Sequence, residues 1–325
     1  YLDAFLEDAT ELDVDALCDT EECYVGSVLE HIEECGIHSG DSACCWPPFS
    51  LSEKIVDQIR AITKKLALAC GIRGLLNIQY AVRDEHVFVI ELNPRASRTV
   101  PFSSKATGVS LAKYASRIMA GEKISELRAQ GLLPDENRTV DYYAVKEAVM
   151  PWSRFPGADS ILGPEMKSTG EVMGIARTFP AAYAKTREAV ENKLPEQGSV
   201  FISVCDRDKR AIAPVAMALE NLGYGIYTTG GTAKTLRAAG IDCTTVNRIS
   251  DGYPNVVDLM RDKTVSFIIN TPHGHEAHSD GTKMRAEAVS QGITCVTAMS
   301  AATALIQALA AARKSEPETF ALQDL

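Results

Sequence analysis

Two runs of alternating apolar and polar residues, TELDVDALCD and CYVGSVLEHIEE, flank the turn-like Thr20, Glu21 and Glu22, which predicts an antiparallel pair of strands over 8–34. A stretch rich in Gly, Ser and Pro from Gly36 to Pro48 reads as a loop. Leu51 to Cys70 has helical periodicity behind Ser50 or Ser52 as an N-cap. LLNIQYAVRD and HVFVIELN return to a period of two and read as a hairpin turning at Asp84 and Glu85. A shorter helix, Leu111 to Ala120, closes at Gly121. The text from Lys123 to Pro195 is mixed, with one clear strand around YYAVKEAVM and an amphipathic helix near Ala181 to Glu191. Beyond the linker NKLPEQG, at 192–198, strands alternate with helices: SVFISV, Arg210 to Leu222, GYGIYTT, Thr232 to Ala239, CTTVN, VSFIIN, Thr282 to Gln291, ITCVT and Ala301 to Arg313. That alternation predicts a parallel sheet covered on both faces.

Length and composition narrow the function classes. With 325 residues and 46% hydrophobic content the chain can bury two cores, which places domains at 1–191 and 192–325. A net charge of −10 and a pI near 5.2 give no electrostatic footprint for nucleic acid or an anionic membrane. No apolar run approaches the roughly 20 residues that span a bilayer, and YLDAFLEDATELD lacks the basic-then-apolar plan of a signal peptide. Nine cysteines without a repeating framework, two of them adjacent at Cys44 and Cys45, suit a reducing compartment. The expectation is a cytoplasmic chain with free thiols that acts on small metabolites. It opens at Tyr1, in what reads as the start of a strand, and so reads as a piece of a longer protein.

The hairpin carries the sharpest chemistry. In IELNPR, Glu91 and Asn93 are two apart on a strand and share a face, and Gln79 on the preceding strand can join them across the ladder. A carboxylate with two amide carbonyls is a hard-oxygen set suited to Mg²⁺ or Mn²⁺ that also touches substrate phosphates. Arg95 and Arg98 follow, and guanidinium groups match phosphate oxygens in bidentate fashion. On these residues alone the cluster reads equally as a solvated strand carboxylate with two surface arginines. In the second half, YTTGGTAKTL puts glycines and hydroxyls between a strand and a helix, a physically reasonable phosphate site. Ser203, Lys209, Arg248, Asn270 and Thr271 fall at the carboxyl ends of strands, where ligands of α/β folds gather.

GIHSGDSACCWPP, GIRGLLNIQYAV, VIELNPRASRTVPFSSKATG and LGPEMKSTGEVMG together resemble the second ATP-grasp module of carbamoyl-phosphate synthase large subunits, from Tyr1 to about Glu191. The remainder resembles the methylglyoxal-synthase-like domain that ends those subunits. The resemblance implies a fold that is α/β and α+β: the C-terminal half of an ATP-grasp module, then a parallel α/β sandwich. It implies phosphorylation of carbamate by ATP, with Gln79, Glu91 and Asn93 holding Mg²⁺ or Mn²⁺, and Arg95 and Arg98 stabilising the transferring phosphoryl group. Glu11 falls where the family binds the ATP ribose and Leu6 beside the adenine; Ala4 stands where a basic residue is common. Gly36, Ile37, His38 and Ser39 form the loop that closes on the nucleotide, and K⁺ is a further ion the family uses. Ser203, Lys209, Thr229, Thr232, Arg248, Asn270 and Thr271 match residues that bind a nucleotide effector, UMP or IMP, with Pro272 replacing a hydroxyl of some relatives. Glu33, Asp41, Glu147 and Thr297 match contacts to the activator ornithine, with Cys295 where relatives carry Tyr. The implied partners are the rest of the large subunit, a glutamine amidotransferase small subunit and further copies of the chain. The glycine-rich loop and N-terminal portion of the module are missing, so this piece alone is expected to be inactive.

Three rival readings stay open on the sequence. The last 130 or so residues could act as a methylglyoxal synthase, with Asp206 or Asp208 as the catalytic carboxylate. His273, His275 and His278, or His31, Cys35 and His38, could hold a metal. The chain could also serve purely as an interaction module.

Overall fold

A computed structural model describes residues 6, 8–155, 158–190, 195–272, 280–314, 318–319 and 321–324. The linker residues 192–194, Ala4, the strand start at Tyr1, and His273, His275 and His278 lie outside the described residues. The chain divides into two compact units: Tyr1–Ala148 with Gly163–Thr186 and Pro317–Leu325, and Val149–Leu162 with Arg187–Glu316. The excursion Val149–Leu162 thus groups with the second unit although the first flanks it on both sides.

The first unit is built on strands β1 (Thr10–Asp19), β2 (Cys23–His31), β3 (Cys44–Trp46), β4 (Arg73–Arg83), β5 (His86–Asn93), β6 (Tyr143–Val149) and β7 (Gly170–Ala176). They form one sheet in the order β5-β4-β1-β2-β3-β6-β7. The predicted pair β1 and β2 is antiparallel, and its turn is tied by Asp19, whose Oδ1 accepts from the amides of Glu21 and Glu22 at 2.9 and 2.7 Å. The β4–β5 hairpin turns where expected, with Asp84 and Glu85 both at positive φ (50° and 62°). Helix α1 (Glu53–Ala69) covers one face, packing Ile55, Val56 and Ile59 on Leu12, Val14, Ala16 and Tyr80. Each fully buried Leu or Ile there contributes about 2 kcal/mol. The other face is shared by α2 (Val100–Thr107), α3 (Leu111–Met119) and α4 (Ile124–Ala129), whose apolar residues meet Leu17, Tyr24, Leu29 and Cys44. Helix α5 (Phe179–Ala189) follows β7.

Three sequence expectations change here. The loop from Gly36 to Pro48 contains β3, a three-residue strand that joins β2 to β6 and is too short to show a period. Val100–Thr107 is a helix, started with a Pro in its first turn and ended by Gly108 at φ 70°. Gly170–Ala176 is a strand in the stretch that read as mixed.

The second unit follows the sequence reading closely. Its elements are β8 (Ser199–Ser203), α6 (Lys209–Asn221), β9 (Gly225–Thr228), α7 (Gly230–Ala238), β10 (Thr244–Thr245), α8 (Val256–Arg261), β11 (Phe267–Asn270), α9 (Asp280–Gln291), β12 (Thr294–Val296) and α10 (Met299–Ala312). All strand pairings are parallel, in the order β10-β9-β8-β11-β12. Val200 and Ile202 face α6, α7 and α10, while Phe201 and Ile268 face α8 and α9, so the central strands are buried on both sides. Helix α7 begins two residues earlier than predicted, which brings both glycines of TTGGT into its first turn behind Thr229 as N-cap. Helix α8, absent from the sequence reading, is short and capped reciprocally by Asn255 and Asp258.

Candidate functional site

The polar positions of β1 do not face water. Glu11, Asp13 and Asp15 are 4%, 0% and 0% exposed, and with Asn77, Gln79, Glu91 and Asn93 they line one sheet face. The register is Gln79 opposite Glu91 and Asn77 opposite Asn93; Gln79 joins Glu91 across the ladder as expected, but through a bulge after Gln79, since the register set by the turn would place Ile90 there. The Asn93 Nδ2 donates to Glu91 Oε1 at 2.7 Å, which leaves the Asn93 carbonyl oxygen turned away and available as a ligand. The donor set of Gln79, Glu91 and Asn93 is therefore all oxygen and fits a divalent cation.

Behind these residues lies a buried polar layer. His31 Nε2 meets Asp13 Oδ2 at 2.8 Å, with both side chains fully buried. Burial alone would raise the Asp13 carboxyl, but the His31 hydrogen bond and charge outweigh it and hold it below its ordinary range. Burial would likewise depress His31, yet Asp13 and then Glu11 hold it up. Asp15 accepts four hydrogen bonds, from Asn77 Nδ2 (3.1 Å), Ser97 Oγ (2.6 Å), Thr99 Oγ1 (2.7 Å) and Ser103 Oγ (2.9 Å). Burial raises its carboxyl, against those hydroxyls. Asp15 thereby anchors the loop that carries Arg95 and Arg98; both arginines are exposed, and neither makes an ion pair among the described residues.

Opposite that loop, residues 36–42 are clamped to the sheet. Glu11 Oε2 accepts from the Gly36 amide at 2.8 Å, and Lys146, itself 1% exposed, donates to the Ser39 carbonyl at 2.9 Å. The His38 amide donates to the Gly163 carbonyl at 2.9 Å, and Asp41 accepts from the amides of Lys167 and Ser168, both at 2.8 Å. The two loops bound a cleft of 660 Å³ lined by Glu11, Gly36, Ile37, His38, Ser39, Gln79, Glu91, Arg95 and Arg98, together with Cys35, Asn77, Ile90, Ala96, Ser97 and Pro164. Asn93 reaches it through Glu91, while Leu6 is not part of its lining. Sequence reasoning missed Asp13, Asp15, His31, Asn77 and Lys146; the only signal was the density of acids on one strand parity.

Glu33 and Glu147 are near neighbours. Burial first, and the Glu147 charge second, push the Glu33 carboxyl up to about 8. Asp41 is 2% exposed and spent on backbone amides, and Glu33 Oε2 accepts from the Ala43 amide at 2.6 Å, so neither is a solvated loop carboxylate. Thr297 follows β12 in the second unit. His31 and His38 are occupied by Asp13 and the Gly40 amide, and among the described residues no cluster of His, Cys, Asp and Glu is placed to hold a metal. The hydroxyl of Ser42 is buried without a hydrogen-bond partner among the described residues.

In the second unit, Asn270 pairs with Ser203 in register at the carboxyl ends of β11 and β8, where the strand order reverses. A cleft of 480 Å³ opens there and brings together every residue predicted for it: Ser203, Lys209, Thr229, Thr232, Arg248, Asn270 and Thr271. Ser203 and Thr229 hydroxyls lie 3.3 Å apart, and the Thr271 hydroxyl accepts from the Cys205 amide at 3.0 Å. The first amides of α7, behind the Thr229 cap, add anion-binding donors. Asp206 lies in the cleft wall paired with Lys209, and Asp208 accepts from the Cys205 thiol at 3.1 Å.

Known proteins share these features. Residues 1–127 match the family model for the carbamoyl-phosphate synthase L chain ATP binding domain, and 211–297 match the MGS-like domain. Carbamoyl phosphate synthase large chains from Acidobacterium capsulatum and Pasteurella multocida are 47% and 46% identical over 99% and 100% of this chain, which covers 30% of each. The large chain of Corynebacterium glutamicum is 48% identical over 100% of this chain and 30% of its own length. Among solved structures, the biotin carboxylase domain of a single-chain bacterial carboxylase is 16% identical with a TM-score of 0.45, over 56% of this chain and 47% of that one. Among the described residues no helix is long and apolar enough to cross a membrane. With an ATP-grasp-type first unit and an MGS-like second, matched end to end by these relatives, the chain belongs to the family of carbamoyl phosphate synthase large chains, of whose length it spans 30%.

Proposed function

We propose that this chain supplies half of the site at which carbamate is phosphorylated by ATP to give carbamoyl phosphate and ADP, and that its second unit binds a nucleotide that regulates the step. The observation that carries the reading is the convergence of Gln79, Glu91, Arg95 and Arg98 on one cleft, with Asn93 bonded to Glu91. Gln79, Glu91 and Asn93 would hold magnesium or manganese, which would supply charge neutralisation for the ATP phosphates. Arg95 and Arg98 would stabilise the equatorial oxygens of the phosphoryl group while the carbamate oxygen bonds to phosphorus and the bond to ADP breaks. Glu11 would orient the ribose, residues 36–39 would close over the nucleotide, and Leu6 would lie by the adenine. Potassium would be a further ion, as the family resemblance implies.

The rest of the reading follows the family. The functional boundary falls between 191 and 192, and the remainder of the large chain completes the ATP site. A glutamine amidotransferase subunit supplies nitrogen, the assembly is cytoplasmic and oligomeric, and its product feeds pyrimidine or arginine synthesis. UMP or IMP occupies the second cleft, and ornithine meets Glu33, Asp41, Glu147 and Thr297. In the intact large chain, Glu91→Gln should lower carbamoyl phosphate formation at least about 100-fold with folding retained. Wild-type turnover in that variant would refute the metal assignment. Carbamoyl phosphate made by these 325 residues alone would refute the half-site reading.

A further inference from the structure

Val149–Leu162 leaves the first unit at the end of β6 and rejoins it at Gly163, yet it packs within the second. Its only regular element among the described residues is a single turn at Trp152–Arg154, which packs on α9. Asp159 ties the segment to the same helix. Its Oδ1 accepts from Arg285 Nε at 2.6 Å and its Oδ2 from Arg285 Nη2 at 2.8 Å, a fork-to-fork pair in which the Arg285 side chain is 4% exposed. Asp159 Oδ1 also accepts from the Ile161 amide at 3.1 Å, which fixes the segment's course.

Arg285 has a second task. Its Nη1 donates to Asn270 Oδ1 at 2.8 Å, while Asn270 Nδ2 donates to the Ser203 carbonyl at 2.8 Å. The amide of Asn270 is thus held at both ends, and its remaining N–H is the one left for the cleft. A buried guanidinium deprived of its carboxylate does not stay in place unchanged, so the aim of Asn270 depends on Asp159.

At the other end of the excursion, Gly163 accepts from the His38 amide, Pro164 lines the first cleft, and the Lys167 and Ser168 amides hold Asp41. Six residues, 163–168, therefore carry the anchors of the loop at 36–42. We infer that Arg285 is a positioning residue of the nucleotide cleft, and that through its pair with Asp159 the excursion transmits occupancy of that cleft to the loop beside the ATP cleft. This rests on the proposed reading of both clefts. The thermodynamic requirement is that a nucleotide bonded to Asn270 favour the paired state of Asp159 and Arg285 over the released one.

The test uses the intact large chain carrying this sequence. The KM for ATP is measured with and without saturating UMP or IMP, in wild type and in Asp159→Asn. Wild type should shift by about 5-fold or more. The variant should keep its basal turnover and still bind the nucleotide saturably, about 5-fold more weakly, while its shift at saturation falls below about twofold. An equal shift in both proteins overturns the inference. No shift in wild type instead refutes the regulatory reading on which it rests. Should Asp159→Asn not fold, hydrogen exchange of wild type decides: the nucleotide should change protection in peptides covering both 158–162 and 36–42, and a KM shift with neither altered overturns the inference.

Discussion

On the proposed function the two clefts solve one problem, the gathering of polar groups for an anionic ligand, in opposite places. In the first unit the groups sit on the face of an antiparallel sheet, so each brings a neighbour into the interior, and Asp13, Asp15, His31 and Lys146 are buried to support those that reach the cleft. In the second they sit at the ends of parallel strands, where hydroxyls and helix amides line the cleft. A face site takes its precision from charge pairs in the core; the end site takes most of its precision from backbone, with the Asp159–Arg285 pair behind Asn270 as a charged support. The first should be costly to perturb and pH-sensitive, the second forgiving.

The largest expected effect tests that contrast directly. Asp13→Ala strands a buried His31, and should cost about 3–5 kcal/mol in urea unfolding of the first unit's transition. A loss under about 1 kcal/mol would mean that the pair contributes little and that the contrast fails. Next comes packing in the same unit. A Cβ at Gly174 would collide with the Ala182 carbonyl and lie 2.9 Å from Lys185 Cβ, so Gly174→Ala should destabilise by about 1–3 kcal/mol. Unchanged thermal unfolding would show that β7 and α5 can separate freely.

The pH effect is smaller. Glu33 has a folded pKa near 8 against an ordinary 4.5, so its contribution is fully present below 4.5 and is lost as pH rises through about 8. Stability of the first unit should decline over that interval, by about 1 kcal/mol once its partial exposure is allowed for. Glu33→Gln should flatten the decline in urea midpoints taken from about pH 5 to 8; parallel slopes would remove Glu33 as its source. Smallest is Thr229→Ala, which deletes one shared hydroxyl contact. It should change folding by about 0.5 kcal/mol and weaken UMP or IMP binding about fivefold by calorimetry. A several-kcal/mol folding loss would make the second cleft as core-dependent as the first.

The same contrast explains what could be read without coordinates. The lining of the second cleft was legible residue by residue, because it comes from strand ends and the first turns of the helices after them, which are easy to locate: Ser203 closes β8, Asn270 closes β11 and Thr232 sits in the first turn of α7. The expectation that Gln79 joins Glu91 across the ladder holds, but a bulge that sequence parity does not reveal produces the pairing. Parity could not reveal that Asp13 and Asp15 are buried, since alternating acids on a strand look the same whether water or Asn77 and Ser97 lie above them. Short elements escaped for another reason: β3 has three residues and α8 six, less than two periods of evidence each. The excursion at 149–162 was read with its sequence neighbours because what seats it in the second unit, including the Asp159–Arg285 pair and the packing of its one turn on α9, leaves no periodic pattern in the sequence.

Asp15 separates two properties of the first cleft that usually vary together. The attraction of exposed Arg95 and Arg98 for an anion is screened by dissolved ions, over about 8 Å at physiological ionic strength. The aim of those arginines depends on Ser97 and Thr99 bonded to a carboxylate that solvent does not reach. Added salt should therefore loosen the cleft's hold on phosphate while leaving the orientation in which phosphate is held unchanged.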